Sequence, residues 1–326
     1  MPVRVRLRAP YKSFCLCKAV RQTEEPALAA GFLLSGLAGL SLDIQRRCRQ
    51  WSSLVFAVRG TPMSNGQQPR WTSSRIRDGI EEIHIRKWNF FIDYIQEAFS
   101  PGCGWVHRGH RKDYYKLEST IDRKIADKSK TEELRRQQLE RFKMAIRGKR
   151  GANPPQYEEP LEWWALGQHF ELLTPLLDWT HSPYTAAFFA FANTGKDDTR
   201  KRIIVSLNKN EVERCPNLAK TVRFYTPNSD ENARVIGQNG LFSYSESGEE
   251  LESLIAEAFA GSKKAVLKKV YLPNAERISV LRGLEQMNIN HLTLFPDLSG
   301  ASNYANMQFE LYSRAGEVEA AERQAG

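Results

Sequence analysis

The apolar positions in the first half of the chain predict helices and strands in an irregular order. Between residues 80 and 99, apolar side chains recur every three to four positions, which predicts an amphipathic helix. A short apolar piece at 104–109 predicts a strand that ends in a turn. Residues 118–150 carry a thin apolar stripe among many charges and predict one or two surface helices. Proline and glycine at 148–160 predict a loop, after which a helix begins near Leu161.

The second half of the chain continues this mixture. Ser182 and Pro183 stand where the cap and the first turn of a helix belong, ahead of a run of alanine and phenylalanine. The remaining predicted elements are strands at 202–207, 222–225 and 265–272 and helices at 249–260 and 275–287. Strands that alternate irregularly with helices are typical of an α+β domain, so we predict a single compact mixed sheet with flanking helices.

The first 62 residues differ in composition from the rest of the chain. They hold ten basic and three acidic residues, whereas the remaining residues hold 37 and 35. An apolar stretch at 27–42 is shorter than the roughly 17–25 residues of a membrane span. Three interpretations of these 62 residues, the basic head, remain open: an over-extended reading frame, a disordered or targeting segment, or a membrane anchor. The first is favoured by Met63, which opens a polar sequence typical of the start of a protein. Beyond the head, we predict a helical region at 63–103, a main domain at 104–314 and a polar tail at 315–326.

Charge and cysteine content narrow the function classes. The net charge of +9 belongs mostly to the head, so the rest of the chain has little long-range field to attract polyanions. A local basic face remains at 108–150, where 15 basic residues stand against seven acidic ones, and nucleic-acid binding through it stays an alternative. Beyond the head, only Cys103 and Cys215 occur. Two distant cysteines do not make a disulfide framework, which favours a reduced, cytoplasmic protein with no membrane segment in 63–326.

Polar residues embedded in apolar runs mark the candidate site. Arg108 ends one such run, and Asp178 lies between two leucines and a tryptophan. A carboxylate in that setting is costly unless it is paired or hydrogen-bonded. One interpretation is structural, with Asp178 as a cap or as the partner of Arg108 or Arg234. The other is a pocket in which Arg108 meets an anionic or ribose-bearing ligand and Asp178 accepts hydrogen bonds from its hydroxyl groups.

Several of these segments resemble the FRG domain, a family named for a Phe-Arg-Gly signature. Arg108-Gly109 matches that signature, with His107 in place of the phenylalanine. The longer match is Gln168-His169 followed by the run LLDWTHSP at 176–183 and its alanine-rich helix. Together with the segments around Gln238 and Phe295, the resemblance spans about residues 104–300.

The resemblance implies distant kinship with the ADP-ribosyltransferases, which open a split sheet around NAD as substrate and need no metal. Breaking the nicotinamide–ribose bond develops oxocarbenium character, which a fixed negative group stabilises. The implied catalytic residues are Arg108, Asp178 and Gln238, although Gly240 stands where a glutamate two residues after the glutamine is expected. The implied NAD-contacting residues are Arg108, His169, Trp179, Thr180, Ser182 and Arg234.

Three other classes compete with a transferase. A non-catalytic module would use the same pocket to bind a small nucleotide-like ligand or a partner, and the incomplete acid–base set favours it. A metal-dependent hydrolase would draw ligands from the histidines, among them His107 and His110, but no HExxH motif or cysteine pair supports it, so we expect no metal. A nucleic-acid binder would use the 108–150 face. A protein or a nucleic acid stays the candidate macromolecular target.

Overall fold

The computed structural model describes residues 68–100, 102–227 and 237–325, with side chains as far as residue 313. The basic head, Met63 and Arg234 lie outside the described residues. Within these ranges, eight strands form one mixed sheet flanked by ten helices, which confirms the α+β class. The described helices include none with the length and apolar character needed to cross a bilayer.

The strands follow the chain in this order: β1 (Trp71–Ser73), β2 (Ile80–Ile85), β3 (Trp105–His110), β4 (Leu176–Thr180), β5 (Lys201–Asn208), β6 (Val222–Tyr225), β7 (Gly240–Ser245) and β8 (Leu267–Pro273). The predicted strands at 104–109, 202–207, 222–225 and 265–272 correspond to β3, β5, β6 and β8 and are confirmed. Neither β1 nor β7 was predicted, and β4 was implied only by the family resemblance.

The helices are α1 (Trp88–Ala98), α2 (Thr131–Ala145), α3 (Pro160–His169), α4 (Pro183–Phe191), α5 (Lys209–Arg214), α6 (Pro216–Thr221), α7 (Leu251–Ala258), α8 (Arg277–Gln286), α9 (His291–Leu294) and α10 (Leu298–Ala325). The predicted helices near 118–150, Leu161, Pro183, 249–260 and 275–287 are confirmed as α2, α3, α4, α7 and α8. Ser182 caps α4 as predicted, because its hydroxyl accepts a hydrogen bond from the Thr185 amide at 3.2 Å.

The predicted helix at 80–99 is wrong in its first part, which is strand β2. Ile83 and Ile85 are both buried, two positions apart, as the alternation of a strand requires. Parallel pairing with β8 sets Glu81 opposite Lys268, and the two charges lie 3.5 Å apart. The spacing of Ile80 and Ile83 also fits a helical turn, so only the distant partner strand decides between the two structures.

The sheet is strongly paired everywhere except at one junction. Its strand order is β1-β2-β8-β5-β3-β4-β7-β6. Strand β3 runs antiparallel to β5 along its whole length, and β4 does the same with β7. Between β3 and β4, however, the only pair is His107 with Thr180. The two halves of the sheet therefore meet at one residue pair and part beyond it, which is where a split of the kind implied by the resemblance would lie.

Helix α4 packs on the sheet closely enough to require a glycine beneath it. A Cβ atom added to Gly109 on β3 would overlap the Ala186 carbonyl oxygen and lie 2.6 Å from the Ala190 amide nitrogen. The facing side chains of α4 are alanines, and Phe188 and Phe191 fill the core beside them. The backbone of α4 thus rests directly on β3 through Gly109.

Replacing Gly109 by alanine is expected to destabilise the fold by roughly 2–3 kcal/mol or more, because backbone atoms of α4 cannot move aside as a side chain can. The matched control is Gly167→Ala, where the nearest obstacle is the Leu172 side chain at 2.5 Å. We expect the control to cost less than about 1 kcal/mol, since Leu172 can rotate and alanine favours a helix. Urea unfolding followed by circular dichroism measures both, and equal losses would contradict this account of the packing.

Candidate functional site

Arg108 bridges the junction between the two halves of the sheet. Its Nη1 donates to the main-chain carbonyl of Asp178 at 2.8 Å and lies 3.3 Å from the Oδ2 atom of the same residue. Its Nε donates to the Nε2 atom of His110 at 3.0 Å. The guanidinium therefore connects β3 to β4 just where the strands stop sharing main-chain hydrogen bonds.

Asp178 is held from two sides yet remains half exposed. Leu177 and Trp179 on either side are buried, whereas 50% of the Asp178 side chain is exposed. Its Oδ2 also accepts a hydrogen bond from the Gln168 amide at 2.9 Å. Gln168 in turn accepts from the Thr174 hydroxyl, which fixes the end of α3 against β4. The pairing of Asp178 with Arg108, one of the interpretations from the sequence, is thus present in the structure.

The two histidines of β3 are buried and neutral. His110 is buried beside Arg108, and burial first, with the neighbouring guanidinium second, lowers its pKa to about 3. Its Nε2 accepts from Arg108, which only a neutral imidazole can do. His107 lies 2.8 Å from the Ser206 hydroxyl, and burial together with His181 lowers its pKa to about 3.

The spacing of His107 and His110 does not form a metal-binding pair. Residues three apart on a strand point to opposite faces of the sheet. His107 contacts the Phe99 ring, with 4.8 Å between ring centroids, whereas His110 lies 6.0 Å from the ring of Tyr115. Across the described ranges, no group of three His, Cys, Asp or Glu side chains is placed to hold a metal ion.

The next residues of the predicted site form structural hydrogen bonds at the far end of β4. The Trp179 indole donates to the Ser243 hydroxyl at 2.8 Å and is buried. The Thr180 hydroxyl donates to the Gln238 carbonyl at 2.7 Å and accepts from the Ser182 amide at 3.1 Å. These bonds tie β4, the cap of α4 and the turn before β7 together.

Gln238 and His169 complete the predicted set. The Gln238 side-chain amide donates to the Leu294 carbonyl at 3.1 Å, so its hydrogen bond goes to α9 and not to the Arg108–Asp178 pair. The His169 ring packs edge-on against Phe170, with 4.8 Å between centroids. Arg234 lies outside the described residues. Among the three predicted catalytic residues, Arg108 and Asp178 are therefore hydrogen-bonded to each other. The side chain of Gln238 is hydrogen-bonded to α9 instead.

Two neighbours of this pair were missed as site residues. Gln168 belongs to the motif that carries the family resemblance, and its position before His169 was the available signal. His110 was weighed only as a metal ligand, although it is the acceptor that orients Arg108. The site is therefore a cluster of Arg108, His110, Gln168 and Asp178.

Two of the surface grooves in the described part of the chain have a defined lining, and neither is lined by Arg108 or Asp178. A groove of about 370 Å³ runs between the segment after β3 and α7; its lining includes Ile80, Tyr114, Tyr115, Glu250, Glu252 and Lys269. Tyr115, which lines this groove, has its ring 6.0 Å from that of His110. A second groove of about 460 Å³ lies between α1 and α8.

The basic face at 108–150 carries less free charge than its sequence indicates. Arg135 is buried and forms a bidentate pair with Asp122, at 2.9 and 2.6 Å. Lys128 pairs with Glu118 at 2.7 Å, and other cations of the segment pair with acids in the same way. Such pairing reduces the unscreened positive field on which phosphate-backbone binding depends.

Acidification is expected to destabilise the protein through His107 and His110. Both pKa values fall from 6.5 in the unfolded chain to about 3 in the folded one. Below pH 6.5 the unfolded state binds protons that the folded state does not. Stability is then lost as the pH falls, by up to about 1.4 kcal/mol per pH unit for each histidine.

Urea unfolding at a series of pH values gives the free energy of unfolding as a function of pH. It is measured for the parent chain and for the two variants His107→Gln and His110→Gln. Each substitution should reduce the slope of unfolding free energy against pH between about 6 and 5, where the histidines dominate. Near pH 8 these histidines are neutral in both the folded and the unfolded state, so the slopes of the parent chain and both variants should coincide there. This range serves as the internal control. An unchanged slope in both variants would show that these imidazoles already take up protons in the folded state.

Comparison with known proteins supports the family assignment over part of the chain. The FRG domain family model matches residues 104–199, a segment that runs from the start of β3 to just beyond α4. The matched segment includes Arg108, Gln168 and Asp178 and excludes Gln238. No curated protein and no solved structure matches the chain. The arginine–glycine pair of β3, the strand β4 and the helix that rests on Gly109 are therefore parts of an FRG domain, which this chain contains.

Proposed function

We propose that the FRG domain binds a small, nucleotide-like anion at the junction between β3 and β4. The observation that carries this proposal is the partly exposed Arg108–Asp178 pair at the point where the sheet parts. The side chains of Arg108 and Asp178 are 21% and 50% exposed, so a ligand can reach both. Ligands of open sheets bind where strands diverge, because main-chain and side-chain polar groups are left unpaired there.

The hydrogen bonds of the pair leave one donor group and one acceptor atom for a ligand. Arg108 uses Nε for His110 and Nη1 for Asp178, and within the described ranges its Nη2 donates to no protein group. Asp178 uses Oδ2 for Arg108 and Gln168, and no described residue donates to its Oδ1. A guanidinium nitrogen suits a phosphate oxygen, and a carboxylate oxygen suits a sugar hydroxyl.

An exposed aromatic side chain follows the cluster residue Gln168 along the chain. Phe170 follows Gln168 by two residues at the end of α3 and is 63% exposed. Aromatic side chains of this kind stack on nucleobases, which would add to the contacts made by Arg108 and Asp178. An anion, a sugar hydroxyl and a base together describe a nucleotide-like molecule such as NAD or ADP-ribose.

ADP-ribosyl transfer from NAD is a further step that the present contacts support less well than binding. Transfer needs a fixed group at the ribose carbon where positive charge develops. Asp178 is the carboxylate of the cluster, whereas the Gln238 amide is bonded to the Leu294 carbonyl. Binding at Arg108 and Asp178 is therefore the function that we put first, with NAD as the candidate substrate if the site is also catalytic.

Calorimetric titration of the whole chain with ADP-ribose and with inorganic pyrophosphate tests the binding proposal. Arg108→Ala should weaken both ligands by about tenfold or more, since it removes a charged hydrogen-bond donor. Asp178→Ala keeps the main-chain carbonyl that Arg108 bonds. It should therefore weaken ADP-ribose but not pyrophosphate, because pyrophosphate has no sugar hydroxyl groups and is no longer repelled by the carboxylate.

Arg214→Ala is the matched control, because Arg214 is an exposed arginine paired with Glu211 on α5. It should leave both affinities unchanged. Circular dichroism melting separates a lost contact from a lost fold in each variant. The proposal fails if the parent chain binds neither ligand, or if both site variants bind as the parent does. Release of nicotinamide from NAD by the parent chain would extend binding to catalysis.

A further inference from the structure

Helix α10 buries only one of its sides against the rest of the domain. Met307 and Leu311 are buried in the core that α8 and α9 also line, and Tyr304 packs at its margin. Glu310 forms hydrogen bonds of 2.6 and 3.0 Å to Arg277, which anchors the same side. The opposite side of α10 faces solvent over the stretch whose side chains are described.

That outer side carries large apolar residues. Leu298 is 87% exposed, Phe309 77% and Tyr312 72%, and the exposed Ala301 and Ala305 lie between them. With about 3.6 residues per turn, these five positions fall within roughly 80° of arc around the helix. A solvated helix face is normally polar or charged, so a continuous apolar stripe of this kind is a candidate contact surface.

The stripe is sharply separated from polar positions on the same helix. The exposed residues on the neighbouring arc are all polar and uncharged: Ser299, Ser302, Asn303, Asn306 and Ser313. Between 298 and 313 the only charged residue is Glu310, which Arg277 already binds. A partner for this face therefore has to offer a neutral, apolar surface.

We propose that this stripe packs against the same stripe of a second copy of the chain, with the two α10 helices antiparallel. With the twofold axis at Ala305, Leu298 of one copy lies opposite Tyr312 of the other, and Ala301 lies opposite Phe309. The small Ala301 then meets the large Phe309, Leu298 meets Tyr312 at the two ends, and the two Ala305 residues allow the helices to approach closely. A twofold interface requires such self-complementarity, because each copy presents the same patch.

The charge and the area of the stripe are compatible with a second copy of the chain as its partner. Two neutral faces meet without repulsion, which would not hold for a charged surface packed on itself. Phe309 and Tyr312 contribute about 150 Å² each, and the stripe as a whole offers roughly 400–500 Å² per chain. Twice that area lies at the lower end of specific interfaces, so the dimer is expected to be weak and to form in the micromolar range.

Sedimentation velocity of the whole chain between about 1 and 200 µM gives the dissociation constant of the dimer. Ala305→Glu places two like charges against each other at the axis and should weaken association by about tenfold or more. Asn306→Glu adds the same charge one residue away, on the polar arc, and should leave association unchanged. Both positions are exposed, so neither substitution should impair folding.

Cross-linking identifies the partner as a second copy. Under mild oxidation Ala305→Cys should give a covalent dimer well above the level of the parent chain, because the two thiols meet across the axis. Asn306→Cys should remain at that level. The proposal is overturned if the parent chain stays monomeric up to 200 µM, if Ala305→Glu associates as the parent does, or if both cysteine variants cross-link equally.

Discussion

The close approach of α4 to β3 at Gly109 determines how the centre of the fold is arranged. Because the α4 backbone rests on this glycine, β4, which leads directly into α4, is brought beside β3 and pairs with it at His107 and Thr180. The neighbouring residue, Arg108, points to the other face of the sheet. The arginine–glycine pair thus does two things at once: the glycine admits a helix on one face, and the arginine links the parting strands on the other.

The Arg108–Asp178 pair is both a structural link and a partly exposed polar group of the junction. His110 makes this possible by staying neutral, since a protonated imidazole beside the guanidinium would repel it. Gln168 holds the carboxylate from the opposite side. Both charged groups are therefore oriented before any ligand arrives, which lowers the entropic cost of binding.

Local signals in the sequence were sufficient for several elements. The Ser182-Pro183 cap and the apolar runs at 202–207 and 222–225 needed no distant partner to be recognised. Residues 80–85 were mistaken for a helix because their isoleucines fit two periods, and the deciding partner, β8, is about 185 residues away. In the same way, the pattern around Gln238 indicates a polar turn but not that its amide bonds the Leu294 carbonyl. Arg108 and Asp178 were predictable because each interrupts an apolar run.

Binding and transfer make different demands on this site. Binding needs a donor, an acceptor and access, all of which the junction offers around Arg108 and Asp178. Transfer also needs a strong field at one ribose carbon, and a carboxylate that is half in water is screened by its solvent. That field would grow only if the ligand itself excluded water from Asp178. The described geometry therefore supports the proposal of ligand binding by this FRG domain more strongly than a proposal of catalysis.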